Sequence, residues 1–181
     1  MFQHLREDIR AAVGSVVGPL RLLTPGIRWV APERVHITLK FLGECDPGRA
    51  AEVAAAVGTM AAETPATSFG LSGAGVFPNF RRPRVVWVGV KQPQMATIAT
   101  EIERVLEPLG VPVERRPFAP HLTVGRVDSQ RAPGELEALG QWAASVGDVG
   151  EQPIDSIELM RSHLGRGGPA YSILASAPLA H

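Results

Sequence analysis

Apolar side chains recur along this chain at two periods, and the switch between them predicts its elements. Phe2, Leu5, Ile9, Val13 and Val16 follow one another at helical spacing, so a first helix is expected from about Phe2 to Val17. A short strand follows at Arg28-Trp29-Val30, then a β-branched run around His36. Asp46-Pro47 opens the next helix, with aspartate as cap and proline in the first turn. Val53, Val57 and Met60 form its inner stripe. Strands are expected near residues 67–77 and 84–91. Then the order repeats. A helix over about 93–109 carries Met95, Ile98, Ile102, Val105 and Leu109, and the strand with His121 comes next. Pro133 opens a helix with Leu136, Leu139, Trp142 and Val146 on one face, and strands near 153–163 and 169–176 finish the chain.

Each half reads helix, histidine strand, helix, strand, and no low-complexity linker divides them. The pattern predicts one bilobal, pseudo-symmetric α+β domain over residues 1–181, with repeat units of about 1–77 and 84–176. The repeats are unequal. In the second, strand 84–91 precedes the helix that leads to the histidine strand, whereas the first opens on its helix. A strand is therefore expected to be absent from the N-terminus, leaving an open sheet edge. Unpaired backbone groups on such an edge invite another chain, and a homodimer contact is expected there.

Composition narrows the class. A chain of 181 residues that is 45% apolar and 20% charged can bury a core of ordinary size. A net charge of zero excludes a generally basic, DNA-coating protein, so no DNA partner is expected. The cations are sixteen Arg and two Lys; arginine suits planar, bidentate contacts to phosphate, but a GC-rich genome gives the same bias, and that is the preferred reading. The single Cys45 excludes an intrachain disulfide and a multi-cysteine zinc site. Charges interrupt the first eight residues, which do not read as a signal peptide, and no apolar run reaches the roughly 18 residues of a membrane span. A cytoplasmic protein without a membrane partner is expected.

The chemistry lies in a pattern that occurs twice: His36-Ile37-Thr38-Leu39 and His121-Leu122-Thr123-Val124. In a strand, residues i and i+2 share a face, so each copy presents an imidazole beside a hydroxyl. Two such pairs across a cleft would supply two proton-transfer groups and two hydroxyl donors. Cleavage of a phosphodiester without a metal needs that set: a base for water, an acid for the leaving oxygen, and fixed donors for the charge that grows on phosphate. One His-x-Thr on a strand is weak evidence, but two at matching places of an internal repeat are stronger. Phe41 and Arg126 each lie five residues beyond a motif histidine, where they could stack on a base or reach a phosphate; for Phe41 a place in the core is the rival reading. Arg81, Arg82, Arg84, Arg115 and Arg116 lie in or beside connections, where they either guide an RNA end or are solvated surface charge. His4, His163 and His181 lack such partners and are expected to be incidental. Trp29, Trp87 and Trp142 are expected in the core.

These residues carry a resemblance to the 2H phosphoesterase superfamily, specifically to the RNA 2′,3′-cyclic phosphodiesterases also called 2′-5′ RNA ligases. It rests on the blocks Val35-His36-Ile37-Thr38-Leu39-Lys40-Phe41-Leu42-Gly43-Glu44 and Pro117-Phe118-Ala119-Pro120-His121-Leu122-Thr123-Val124-Gly125-Arg126, with weaker support from Gly26 to Val30, from Gly75 to Pro78, from Arg82 to Val90, and from Ser162, Leu164, Gly168 and Tyr171 in the tail. The resemblance implies a LigT-like fold with two antiparallel sheets lining a central cleft and helices outside. It implies hydrolysis of an RNA or nucleotide 2′,3′-cyclic phosphate to a 2′-phosphate, with no cofactor and no metal. His36 would be the proton donor and His121 the proton acceptor. Thr38 and Thr123 would hold the phosphate, and Phe41 and Arg126 match positions that hold the base and its phosphate. The opening strand of the family type Arg-Leu-Phe-Val-Ala looks absent, at the place the repeat already marks. Ligation of the same ends, or a nucleotide-binding module with impaired turnover, remain as alternatives. A two-histidine metal site fits poorly, because no carboxylate or cysteine sits at ligand spacing.

Overall fold

The structure, a computed structural model, describes residues 1–127, 133–165 and 168–180. Its strands are β1 (Phe2–His4), β2 (Arg28–Trp29), β3 (His36–Thr38), β4 (Thr67–Phe77), β5 (Val85–Lys91), β6 (His121–Arg126), β7 (Asp148–Ile154), β8 (Ser156–Gly165) and β9 (Gly168–Pro178). Its helices are α1 (Glu7–Leu23), α2 (Ala50–Glu63), α3 (Pro93–Leu106) and α4 (Pro133–Ser145). The strands form one nine-stranded sheet in the order β7-β4-β5-β6-β3-β1-β8-β9, with β2 added against β6. Every pairing between these strands is antiparallel.

The two expected sheets are thus continuous. They join where β3 meets β6, through the single pair Ile37↔Leu122. The repeats also exchange strands. β4 lies between β5 and β7, and the terminal hairpin β8–β9 joins the sheet through β1. α1 and α4 cover the β7–β4 end, and α2 and α3 lie together, with α2 on β8 and β9. The core fills the space between helices and sheet. Ile37, Leu122, Val86, Val88 and Ile157 are completely buried there, and full burial of a side chain this size stabilises the fold by roughly 1.5–3 kcal/mol.

The N-terminus corrects the expectation of a missing strand. Phe2 to His4 form β1, which pairs with β3 on one side and β8 on the other, and the helix begins only at Glu7. The edge expected to hold a homodimer contact is therefore filled by the chain itself. The spacing misleads for a physical reason. A three-residue strand buried between neighbours shows no alternation, while Phe2 and Leu5 happen to continue the helical stripe of Ile9 and Val13. A side chain fixes the corner: Gln152 of β7, buried, accepts the Arg6 N–H at Oε1 (2.9 Å) and donates from Nε2 to the His4 carbonyl (2.7 Å).

β7 is a strand that the sequence pattern does not predict. Its sequence holds Gly150 and Pro153 and has little β-branched character. Pairing along β4, with a register shift at Leu71/Ser72, makes it a strand. The strand expected near 153–163 is shifted to Ser156–Gly165, and the one expected near 169–176 is longer, from Gly168 to Pro178. No helix among the described residues is long and apolar enough to cross a membrane.

Candidate active site

The pair Ile37↔Leu122 also organises the site. Both side chains point into the core, so their neighbours point to the other face. The antiparallel register carries His36 toward Thr123, and Thr38 toward His121. The two motifs thus form a diagonal square about a local two-fold axis. In a regular ladder, diagonal positions lie about 7–8 Å apart, room for a phosphoryl group between them. All four side chains are half-buried, while Ile37, Leu39, Leu122 and Val124 are fully buried.

Each ring is locked in the same way. His36 Nδ1 bonds the Arg34 carbonyl (2.8 Å), and His121 Nδ1 bonds the Ala119 carbonyl (2.7 Å). A carbonyl can only accept, so Nδ1 carries the proton in both rings and Nε2 is left for chemistry. The carbonyl comes from the residue two positions upstream in each repeat.

The walls differ. Phe2 stacks on His36 with centroids 4.0 Å apart, and Tyr171 meets the same ring edge-on at 4.9 Å. On the other side, Phe77 meets His121 edge-on at 5.0 Å and lies 5.2 Å from Trp87. Trp87 stands opposite Thr123 and therefore on the site face, not in the core as expected. It fits because Gly75 beneath it has no side chain: a Cβ there would lie 2.5 Å from the indole. Trp29 is likewise half-buried and lies over Gly125, while Trp142 is buried as expected.

Phe41 is 74% exposed beyond the end of β3, which removes the core reading, and its ring meets Phe2 edge-on at 6.4 Å. Arg126 is exposed at the end of β6, opposite Arg28. Its charge reaches His36. Burial, first, lowers the His36 pKa to about 4, against the pull of the Arg34 carbonyl; the charges of His4, the Met1 amino group and Arg126 add to the lowering. Arg81, Arg82, Arg84, Arg115 and Arg116 are all exposed.

Several contributors escape a reading of the sequence. Phe2, Phe77, Trp87 and Tyr171 are reached only through strand register, which the sequence does not display. Lys40 is another. It is 5% exposed, and its Nζ donates to both Glu103 oxygens (2.7 Å each) and to the Pro112 carbonyl (2.6 Å). It ties the strand of the first motif to α3 and to the connection that leads to the second. His4, expected to be incidental, lies directly opposite His36. His163 faces Ser172 (3.1 Å) on the β8–β9 hairpin, away from the motifs. His181 lies outside the described residues, as do the side chains of Leu164 and Gly168. Among the described residues, no group of three or more His, Cys, Asp or Glu is placed to hold a metal ion.

Comparison with known proteins places this arrangement. The model of the LigT like Phosphoesterase family matches the chain twice, over residues 5–87 and 88–171. The RNA 2′,3′-cyclic phosphodiesterase of Aeropyrum pernix is 38% identical over 152 residues, 82% of this chain and 84% of that protein. That of Methanothermobacter thermautotrophicus is 33% identical over 171 residues, 93% and 91%. That of Geobacillus stearothermophilus is 33% identical over 178 residues, 97% of this chain, which spans only 55% of that longer protein. A crystal structure from Thermus thermophilus superposes with a TM-score of 0.80 at 27% identity, covering 98% of this chain and 95% of the other. E. coli LigT complexed with 3′-AMP shares the fold with a TM-score of 0.79 at 24% identity, covering 99% and 96%. Two matched repeats, each centred on one locked histidine and its threonine, make this chain a member of the LigT-like phosphoesterase family.

Proposed function

We propose that the protein hydrolyses RNA 2′,3′-cyclic phosphate ends to 2′-phosphates by two-histidine general acid–base catalysis without a metal. The observation that carries this reading is the diagonal square of His36, Thr123, His121 and Thr38, with both Nδ1 atoms bound to carbonyls. His121 Nε2 takes a proton from water as the water oxygen bonds to phosphorus. The bond from phosphorus to the 3′-oxygen breaks, and His36 Nε2 gives that oxygen a proton. The phosphate stays on the 2′-oxygen. Thr38 and Thr123 donate to the non-bridging oxygens as they gain charge. Phe41 offers an open ring for the terminal base, and Arg126 a cation for the phosphate. DNA lacks the 2′-oxygen that closes the ring, so the substrate is RNA or a ribonucleotide. We place the protein in the cytoplasm, where the exposed thiol of Cys45 stays reduced.

The test is incubation of a 2′,3′-cyclic-phosphate oligonucleotide with the protein in excess EDTA. The expected product carries a 2′-phosphate. Tight binding with no turnover would make the chain a binding module, 2′-5′ joined product would make it a ligase, and loss of turnover in EDTA would overturn the metal-free mechanism.

The pH dependence follows from the donor role. His36 must be protonated to act, and in the free protein it holds its proton only below about pH 4. A bound phosphodiester anion favours the imidazolium. The limb of kcat/KM that belongs to His36 is therefore expected near pH 4, and the corresponding limb of kcat at higher pH. Both profiles should be bell-shaped, and flat ones from about pH 5 to about pH 9 would contradict paired histidines. Phe41→Ala is expected to raise KM about 5- to 150-fold with little change in kcat, the equivalent of roughly 1–3 kcal/mol of base stacking. Steady-state kinetics on a cyclic-phosphate dinucleotide reads this directly.

A further inference from the structure

The internal repeat contains its own comparison. Opposite His121 across the ladder stands Gly89, and opposite His36 stands His4. Directly opposed residues of an antiparallel pair face the same side, so His4 stands beside His36 on the site face. Its Nε2 is buried and has no hydrogen-bond partner. Across the other side of β1, Phe2 is opposite Glu158, which puts Glu158 on that face too, diagonal to His4. Glu158 is 8% exposed. Its Oε1 accepts from Ser156 Oγ (3.0 Å) and Ser176 Oγ (2.8 Å), while its Oε2 is buried without a partner. A buried imidazole nitrogen and a buried carboxylate oxygen, each unsatisfied, thus lie behind one motif histidine, and a glycine lies behind the other.

We propose that His4 is a positioning residue for His36: its charge governs whether His36 carries a proton. This rests on the reading of His36 as a proton-transfer group. The titratable and charged groups placed around His36 include His4 and the Met1 amino group from the N-terminal strand, Arg126 and His121 from β6, Tyr171 from β9, and Glu158 behind His4 on β8. Arginine keeps its charge at every working pH and supplies a constant field. A second imidazole supplies one that changes with pH. The His4 charge is among those that lower the His36 titration. The arrangement sets an imidazole beside His36 and a glycine beside His121, so two rings of the same local geometry differ in their electrostatic surroundings.

The test is an NMR titration of the imidazole Cε1–H signals in the full chain. In His4→Gln, which keeps size and polarity but cannot be charged, the His36 midpoint is expected to rise by about half a pH unit or more. In the unsubstituted protein the His36 signal should follow a curve broader than a single site gives. An unmoved His36 midpoint in His4→Gln overturns the proposal, as does a single-site curve in the unsubstituted protein, which decides the matter even if the variant fails to fold. None of these readouts requires turnover, so failure here is distinct from failure of the hydrolytic reading.

Discussion

Replacing either motif histidine by asparagine is expected to lower kcat about 10²- to 10⁴-fold, the contribution of one general acid or base. KM should change far less, because Thr38, Thr123, Phe41 and Arg126 still hold the substrate. The double variant should be little worse than the worse single one, since both groups act in one transition state. Asparagine is preferred to alanine because His36 is packed between Phe2 and Tyr171, and an empty site there would confuse lost chemistry with lost packing. Changing the leaving group separates the two roles. An aryl phosphodiester expels a phenolate that needs no proton. On it, His36→Asn should keep most of its activity and His121→Asn should not. The reverse pattern would exchange the roles of acid and base.

Lys40→Met is expected to destabilise the fold by about 3–5 kcal/mol, the loss typical when one partner of a buried ion pair is removed. In a chain this size that lowers the melting temperature by roughly 10 °C. The reason is local. Lys40 is the donor for both Glu103 oxygens and the Pro112 carbonyl, and its side chain is 4% exposed against 22% for Glu103. Without it, an acid on α3 is left beside apolar surface. The double variant Lys40→Met/Glu103→Leu should recover most of the loss, because well-packed apolar groups replace a buried pair at little cost. Urea midpoints of the single and double variants check both statements. A single variant as stable as the parent would mean that the pair merely decorates the α3 face.

The chemical core of the site is legible because it is local in sequence. A strand turns spacing of two into a shared face, so His36 with Thr38, and His121 with Thr123, need no tertiary knowledge. Phe41 and Arg126 are legible as positions just beyond the same strands. The remaining walls are not. Trp87 faces the site only because of its register with Thr123, and Phe2 only because β1 pairs with β3. The helix α3, with its long apolar stripe, shows in the pattern nearly to the residue, whereas α1 starts five residues later and ends six residues later than its pattern predicts. The short first strand does not show, since three residues buried on both sides have no period. Neither does β7, whose glycine and proline hide a strand that β4 enforces. His4 escapes notice for the same reason as β1: its neighbour lies thirty-two positions along the chain and becomes visible only with the ladder.

The exchange of strands between the repeats has a consequence for how such a molecule can be taken apart. A cut in the connection between β4 and β5 would leave an N-terminal piece whose last strand has lost both neighbours, and a C-terminal piece whose β8–β9 hairpin has lost the strand beside it. Neither piece keeps a closed layer, and each exposes the edge that the other covers. The two fragments are therefore expected to reassemble on mixing while neither folds alone. A tandem duplication wired in this way is locked against the later loss of either copy.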